Sequence, residues 1–267
     1  MNKLTVIGGG LAGCEAAYAA ANRGIEVELL EMKPAKKTAA HKSDSLAELV
    51  CSNSLKAARV DSAAGLLKEE MRRLGSVCLA AADRSAVAAG GALAVDRDIF
   101  SRLITEKIKS HPNITVTERL VTEIPQSGVT VIATGPLTDD ALAEKLAGLC
   151  DGGNLSFYDA AAPIVTAESV DMSKAFFASR YDKGGDDYIN CPMNKEEYTA
   201  FYHELINAES APLHGFDKAP NVYEGCMPIE VLAKRGEDSI RFGPLKPVGL
   251  RDPRTGHRPW AAVQLRR

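Results

Sequence analysis

The chain has 267 residues, of which 45% are hydrophobic, 25% charged and 6% aromatic. At roughly 100–200 residues per domain, this length predicts two compact domains or one domain with a large insertion. The composition excludes collagen-like, disordered and disulfide-scaffold classes. Because the sequence has no apolar stretch of about 18 residues and its apolar start at residues 4–7 is short, we expect a cytoplasmic protein without a membrane partner.

The net charge of −3 is unevenly distributed. Residues 234–267 contain nine cations and three acids, a net charge of +6, which leaves −9 for the rest of the chain. A basic segment of this kind is typical of a polyanion-binding surface, although a solvated face is an equally good interpretation of composition alone. The six cysteines form no C-x-x-C pair and the five histidines are scattered, so no disulfide framework and no metal site is predicted.

The first pattern along the chain is strand, glycine turn, helix, strand. A β-branched run at residues 3–7 leads into Gly8-Gly-Gly-Leu-Ala-Gly13, an alanine-rich helical segment follows to Arg23, and residues 25–31 form a second apolar run. This order predicts a βαβ unit with a dinucleotide pyrophosphate at the helix N-terminus. Glu31 is placed to accept hydrogen bonds from an adenosine ribose. The predicted cofactor-binding residues of the turn are Gly8, Gly9, Gly10, Leu11, Ala12 and Gly13.

Later segments add further helices and strands. Helices are predicted over residues 62–74, 96–109, 138–149 and 195–207, and strands over residues 114–121 and 130–136. The second of these strands ends in Ala133-Thr134-Gly135-Pro136, similar to the second dinucleotide-side motif of two-domain flavoproteins. The glycine turn leaves FAD and NAD both open, and this second motif favours FAD, with Thr134 and Gly135 at the cofactor.

These elements predict an α/β fold with two parts. Residues 1–165 are expected to form a Rossmann-like FAD-binding domain of the GR2 type, with a small insertion around residues 85–125. From about residue 151 turns and aromatic residues replace the regular pattern, so residues 166–267 are predicted to form a second domain, of α+β type. Residues 260–267 predict the start of a strand with no partner after it, and we expect the chain to end inside a domain.

Two cysteines stand in distinctive surroundings. Cys226 lies in Tyr223-Glu-Gly-Cys-Met-Pro-Ile-Glu230, between a glycine and a proline and near two carboxylates, and Cys51 lies in a polar stretch. From the residues alone each is more often a small buried hydrophobe than a nucleophile. Cys14, Cys78 and Cys150 are given that buried interpretation.

Five strings, in the same order, closely resemble the TrmFO family of folate- and FAD-dependent tRNA (uracil-5-)-methyltransferases. They are Gly8-Gly-Gly-Leu-Ala-Gly-Cys-Glu-Ala-Ala17, Leu30-Glu-Met-Lys-Pro34, Glu48-Leu-Val-Cys-Ser-Asn-Ser-Leu55, Tyr223-Glu-Gly-Cys-Met-Pro-Ile-Glu230 and Gly243-Pro-Leu-Lys-Pro-Val-Gly-Leu250. The resemblance implies an enzyme that forms 5-methyluridine in the T-loop of tRNA. It implies 5,10-methylenetetrahydrofolate as the carbon donor and FAD, reduced by NAD(P)H, as the cofactor.

The resemblance also assigns residue roles. It implies that the Cys226 thiolate adds to uracil C6 and that Cys51 is a general acid/base or partner near the flavin. It further implies that residues 166–267 are an inserted domain on the substrate and RNA side. The basic segment then suits RNA phosphate contacts, with Arg241, Lys246 and Arg251 as the leading candidates.

Alternatives remain open at this point. The target could be ribosomal RNA, the chain could be a non-catalytic remnant with partial nucleotide or RNA binding, or it could be a flavoprotein related to the enzymes that modify the wobble uridine. Because the family's chains are longer, we expect the C-terminal part of the FAD domain to be missing and the flavin to bind weakly or not at all. The sequence leaves the oligomeric state open.

Overall fold

The structure is a computed structural model that describes residues 3–38, 40–149, 164–182, 185–209 and 227–266. These residues form two compact units, the first containing residues 3–87 and 93–149 and the second containing residues 88–92, 164–209 and 227–266. Within the described part, no helix combines the length and apolar character needed to cross a bilayer. In chain order the strands and α-helices are β1 (Lys3–Ile7), α1 (Leu11–Ala21), β2 (Glu26–Glu31), β3 (Ser54–Ala57), α2 (Ala63–Arg73), α3 (Val77–Arg84), β4 (Ala86–Val87), β5 (Ala92–Val95), α4 (Arg97–Lys109), β6 (Ile114–Glu118), β7 (Val129–Ile132), α5 (Asp140–Leu149), β8 (Phe176–Phe177), β9 (Tyr188–Met193), α6 (Lys195–Asn207), α7 (Ile229–Ala233), α8 (Glu237–Arg241) and β10 (Ala261–Arg266).

The first unit is built on a four-stranded sheet in the order β6-β2-β1-β7, in which β1 pairs in parallel with β2 and β7, and β2 pairs in parallel with β6. Strand β1 has β2 on one side and β7 on the other, with Ile7 opposite both Leu30 and Ile132. The chain therefore leaves β1 towards one neighbour and returns later to pair on the opposite side. In an open parallel sheet such a reversal opens a crevice at the carboxyl ends of the strands, where ligands bind.

Helices cover both faces of this sheet. Val6 and Leu29 belong to the core that the sheet shares with α1, α3 and α4. Ile7 and Leu30, each one residue further along, face the other way and pack with Leu142 of α5. This alternation is the two-residue period of a strand, and burial on both faces explains why the strands are rich in Val, Ile and Leu.

Polar caps set the starts of the helices in this unit. The side chains of Ser62, Ser76 and Asp96 each accept hydrogen bonds from backbone N–H groups in the first turns of α2, α3 and α4. The helices predicted over residues 62–74 and 96–109 are therefore present within about one residue of the expected bounds. Helix α3 and the small sheet β3-β5-β4 were not predicted, because these apolar runs are too short to show a clear period.

The second unit contains an antiparallel sheet in the order β10-β9-β8. Helix α6 begins at the predicted residue, Lys195, and its cap residue Asn194 forms a reciprocal capping box with Glu197. The core of the unit contains Tyr198 of α6 and Ala261 of β10. The strand expected near the end of the chain is present as β10. All six of its residues pair with β9, a strand that lies earlier in the sequence.

Candidate functional site

A cavity of about 290 Å³ lies where β1, β2 and β7 end. The backbone continues the sheet into the glycine turn, because the N–H of Gly8 donates to the carbonyl of Leu30 at 2.8 Å and the N–H of Ala133 donates to the carbonyl of Ile7 at 2.8 Å. Eight of the nine predicted cofactor residues line this cavity: Gly8, Gly9, Gly10, Leu11, Ala12, Glu31, Thr134 and Gly135. The ninth, Gly13, lies in the first turn of α1.

The glycines of the turn meet different constraints. Gly8 has a φ of 101°, and a Cβ there would lie 2.7 Å from the carbonyl oxygen of Ala133. A Cβ on Gly13 would lie 1.8 Å from the carbonyl oxygen of Gly8, so the helix can approach the strand this closely only with glycine. A Cβ on Gly10 would meet no protein atom within 4 Å. Packing therefore requires Gly8 and Gly13, whereas Gly10 borders open space in the cavity.

The N-terminus of α1 lines the same cavity. Its cap residue is Gly10, no side chain accepts a hydrogen bond from the first turn, and no acidic residue lies in that turn. The first N–H groups of a helix have no partner within the helix, and they carry the positive end of its dipole. A phosphate group bound here would supply the missing acceptors, so the turn fits a pyrophosphate.

The Glu31 carboxylate is fixed against the turn. Its Oε2 accepts a hydrogen bond from the N–H of Gly9 at 2.6 Å, and its Oε1 accepts one from the N–H of Lys33 at 3.0 Å. The residue is 7% exposed and lines the cavity. Because each carboxylate oxygen can accept more than one hydrogen bond, the group can also receive hydroxyl donors from a ribose.

A buried ion pair lies beside this carboxylate. The Lys33 Nζ donates to the Glu48 Oε2 at 3.2 Å, and the two side chains are 4% and 11% exposed. The Glu48 Oε1 accepts hydrogen bonds from the N–H groups of Lys42 and Ser43. Burial by itself raises the pKa of Glu48, but these N–H groups and the Lys33 ammonium together lower that pKa below its usual value.

The ion pair holds the polar loop of residues 42–48 next to the glycine turn. Lys33 also donates to the carbonyl of Ser45 at 2.6 Å, and the N–H of Ala47 donates to the carbonyl of Gly9 at 2.8 Å. Sequence reasoning did not find this pair. The only hint was a lysine two residues after Glu31 and a glutamate in the following polar loop, and their contact is tertiary.

The motif after β7 contributes the opposite wall of the cavity. Gly135 has a φ of 67°, which favours glycine, and it begins a short 3-10 helix. The hydroxyl groups of Thr134 and Thr138 are 2.6 Å apart, and Thr138 donates to the carbonyl of Gly135. Both threonines line the cavity.

The cysteines have contrasting environments. Cys51 is exposed, and its carbonyl accepts a hydrogen bond from the Arg97 guanidinium at 3.5 Å; its neighbour Val50 lines the cavity. Cys226 lies outside the described residues. Cys14 and Cys78 are buried, as expected, and burial raises the pKa of Cys14 to about 12 and also raises that of Cys78. Both are therefore unreactive thiols rather than thiolates.

The three residues predicted to contact RNA belong to the second unit. The Arg241 guanidinium lies 3.7 Å from the centre of the Trp260 ring and 4.6 Å from that of Phe242, and its Nε donates to the Trp260 carbonyl. Lys246 and Arg251 are exposed. Of the three, Arg241 thus already contacts two aromatic rings of its own unit. Among the described residues no cluster of His, Cys, Asp and Glu could hold a metal ion.

The glycine turn, the acidic residue ending β2 and the helices on both faces of a parallel sheet define a Rossmann-like dinucleotide-binding fold. The sequence matches the GIDA family, described as glucose inhibited division protein A, over residues 3–267. The chain belongs to that family.

Three curated relatives share the name methylenetetrahydrofolate–tRNA-(uracil-5-)-methyltransferase TrmFO. The protein of Lactobacillus gasseri is 58% identical over 266 residues, covering 100% of this chain and 60% of the relative. The protein of Desulfitobacterium hafniense is 59% identical over 267 residues, covering 100% and 61%. The protein of Natranaerobius thermophilus is 60% identical over 265 residues, covering 99% and 61%. The resemblance found in the sequence is confirmed, and the chain spans about three-fifths of the length of these relatives.

Solved structures are less similar. The p-nitrophenol 4-monooxygenase PnpA of Pseudomonas putida is 17% identical, with a TM-score of 0.32 over 48% of this chain and 35% of that one. A similarity this low does not bear on the fold.

Proposed function

We propose that this chain carries the FAD site of a folate-dependent tRNA (uracil-5-)-methyltransferase of the cytoplasm. The observation that carries the proposal is the identity of 58–60% over nearly the whole chain to relatives named as such enzymes. The proposed substrate is a uridine in the T-loop of tRNA. The proposed carbon donor is 5,10-methylenetetrahydrofolate, and the proposed reductant is NAD(P)H.

The residues at the ends of β1, β2 and β7 fit the adenosine and pyrophosphate part of FAD. The uncapped N-terminus of α1 supplies N–H donors for phosphate, Gly10 leaves space beside them, and Glu31 supplies acceptors for the ribose. Thr134 and Gly135 border the same cavity. When bound, FAD supplies the reducing equivalents that a methylene group needs to become a methyl group.

The proposed chemistry explains why a thiol is needed. Uracil C5 is a poor nucleophile until a nucleophile adds to C6, and a thiolate can both add there and leave afterwards. We assign that addition to Cys226. Cys51 is assigned the role of a general acid/base near the flavin, and its exposure is compatible with access by a substrate. The target base must leave its stack to reach both groups.

Covalent trapping tests this assignment. In the presence of FAD and methylenetetrahydrofolate, RNA with 5-fluorouridine at the target position should form a covalent complex with the chain. After the thiol has added to C6 and the methylene carbon has been transferred to C5, release of the thiol requires loss of a proton from C5, and fluorine cannot leave as a proton. We expect no complex with Cys226→Ala and an unchanged yield with the matched control Cys191→Ala, which changes a half-buried cysteine. Equal trapping by Cys226→Ala and the unmodified chain would refute the assignment.

A further inference from the structure

Tyr181 combines exposure with an unusual backbone conformation. It is 61% exposed, and its φ of 58° and ψ of 25° lie in the left-handed region. Bulky residues rarely adopt this region, and residues held there against their preference cluster at binding sites. The large aromatic ring is therefore presented to solvent at a cost in backbone free energy.

The ring rests on the loop of residues 246–249. The N–H of Tyr181 donates to the carbonyl of Gly249 at 2.8 Å, and a Cβ on Gly249 would lie 3.0 Å from two carbons of the tyrosine ring. Gly249 has a φ of 79°, so glycine is favoured there both by its backbone conformation and by the closeness of the tyrosine ring. The ring thus lies against backbone, and a side chain at residue 249 would displace it.

Arg180 fixes this loop from the other side. One of its guanidinium nitrogens donates to the carbonyls of Lys246 and Val248, the latter at 2.9 Å, and its Nε donates to Gln264 of β10. These contacts tie the loop to the sheet of the second unit. Tyr181 and residues 246–249 therefore form a pre-organised surface, which we call the Tyr181 platform.

Cations lie at both ends of the loop. Lys246 and Arg251 are exposed, whereas the neighbouring carboxylate of Asp252 is buried and paired with Arg254. An exposed aromatic ring on a loop flanked in sequence by two exposed cations is a combination with which proteins bind single-stranded nucleic acid, by stacking a base and contacting its phosphates. The positive charge of residues 234–267 complements such a polyanion.

We propose that the Tyr181 platform binds an unpaired base of the substrate RNA by stacking, with Lys246 and Arg251 at the adjacent phosphates. This inference rests on the proposed function for its ligand class and adds to it a specificity surface outside the dinucleotide site. The sequence pattern did not single out Tyr181, because its exposure and its contact with Gly249 depend on the fold.

The test measures binding of a fluorescent T-arm hairpin RNA to the unmodified chain and to four variants. Tyr181→Asn removes the ring but tolerates the left-handed backbone, so we expect an unchanged unfolding midpoint and an affinity lower by about tenfold. Tyr181→Phe should bind within about twofold of the unmodified chain. The matched control Phe177→Leu changes another exposed aromatic residue of the same unit and should have no effect.

Salt dependence separates stacking from charge. Tyr181→Asn should leave the slope of log K against log salt unchanged, whereas Lys246→Gln should reduce its magnitude by about one. Normal RNA binding by Tyr181→Asn would overturn this inference alone and leave the proposed function standing. A Tyr181→Asn variant that loses methylenetetrahydrofolate binding but keeps RNA binding would also overturn it. Failure of the unmodified chain to bind any RNA would overturn this inference together with the proposed RNA substrate.

Discussion

Glu31 is the residue on which the proposed ribose recognition depends most. Its carboxylate accepts two backbone hydrogen bonds and faces the cavity. We expect Glu31→Gln to weaken FAD binding by about 1.5–3 kcal/mol, since an amide loses the charge that strengthens hydrogen bonds from hydroxyl groups. Fluorescence titration of FAD measures the change. Glu28→Gln, on the same strand, should bind FAD normally, and equal weakening by both variants would contradict the role given to Glu31.

The glycines of the turn separate folding from binding. Gly10→Ala places its Cβ in open space, so the substitution should lower the free energy of unfolding by less than about 1 kcal/mol. The same Cβ enters the cavity beside the helix N-terminus, so it should weaken FAD binding. Gly13→Ala drives a Cβ into the carbonyl of Gly8 and should prevent normal folding. Thermal unfolding with and without FAD distinguishes the two effects. A Gly13→Ala variant with an unchanged unfolding midpoint would show that the helix does not pack on the strand in this way.

The lowered pKa of Glu48 makes the free energy of unfolding depend on pH in the acid range. Because its pKa is lowered in the folded chain, the ionised carboxylate contributes stability that is fully present above its unfolded pKa of about 4.3. That contribution is lost as the pH falls through the lower folded value. The difference in unfolding free energy between the unmodified chain and Glu48→Gln should therefore shrink as the pH is lowered from about 6 to about 3. Urea unfolding across this pH range measures the difference in unfolding free energy. A difference that stays constant would show that the pKa of Glu48 is not lowered by folding.

Residue-level prediction from sequence succeeded where the spacing is local. The glycine turn and Glu31 lie within one βαβ unit, so their meeting at the strand ends follows from the topology of that unit. The Lys33 and Glu48 pair and the Tyr181 contact with Gly249 could not be predicted, because each joins segments brought together by the fold. The part of the proposed site that contains Cys226 lies outside the described residues and stays a prediction.

At the scale of elements, helix α6 offers a direct test of capping. The Asn194 side chain accepts a hydrogen bond from the N–H of Glu197 at 2.8 Å, and the Glu197 carboxylate accepts one from the N–H of Asn194. Asn194→Ala should lower the unfolding free energy by about 1 kcal/mol. Denaturant unfolding measures it, with the exposed Glu204→Ala in the same helix as the control. An effect no larger than that of the control would contradict the capping role.

Elements with strong local patterns were predicted well. Helices α2, α4 and α6 have polar caps and apolar faces, and all three begin within one residue of the predicted start. The strand predicted over residues 114–121 ends earlier, at Glu118, because only residues up to that point pair with β2. The partner of β10 could not be predicted, because β9 lies more than sixty residues earlier in the chain and pairing between distant strands leaves no local pattern.

At the scale of the whole molecule, the two units divide the proposed work. The first contains the dinucleotide cavity, and the second contains the Tyr181 platform and the exposed cations Lys246 and Arg251. Composition excluded unusual protein classes but gave no sign of this division. The division into two units is indicated by the change in sequence pattern after residue 151 and by the separate hydrophobic cores of the two units.

The most direct measurement is the formation of 5-methyluridine in tRNA by a chimera in which this chain replaces the matching 266 residues of the Lactobacillus gasseri relative. The account predicts 5-methyluridine that depends on methylenetetrahydrofolate and is abolished by Cys226→Ala. A folded chimera that binds FAD and tRNA but forms no 5-methyluridine, beside an active unmodified relative, would contradict it.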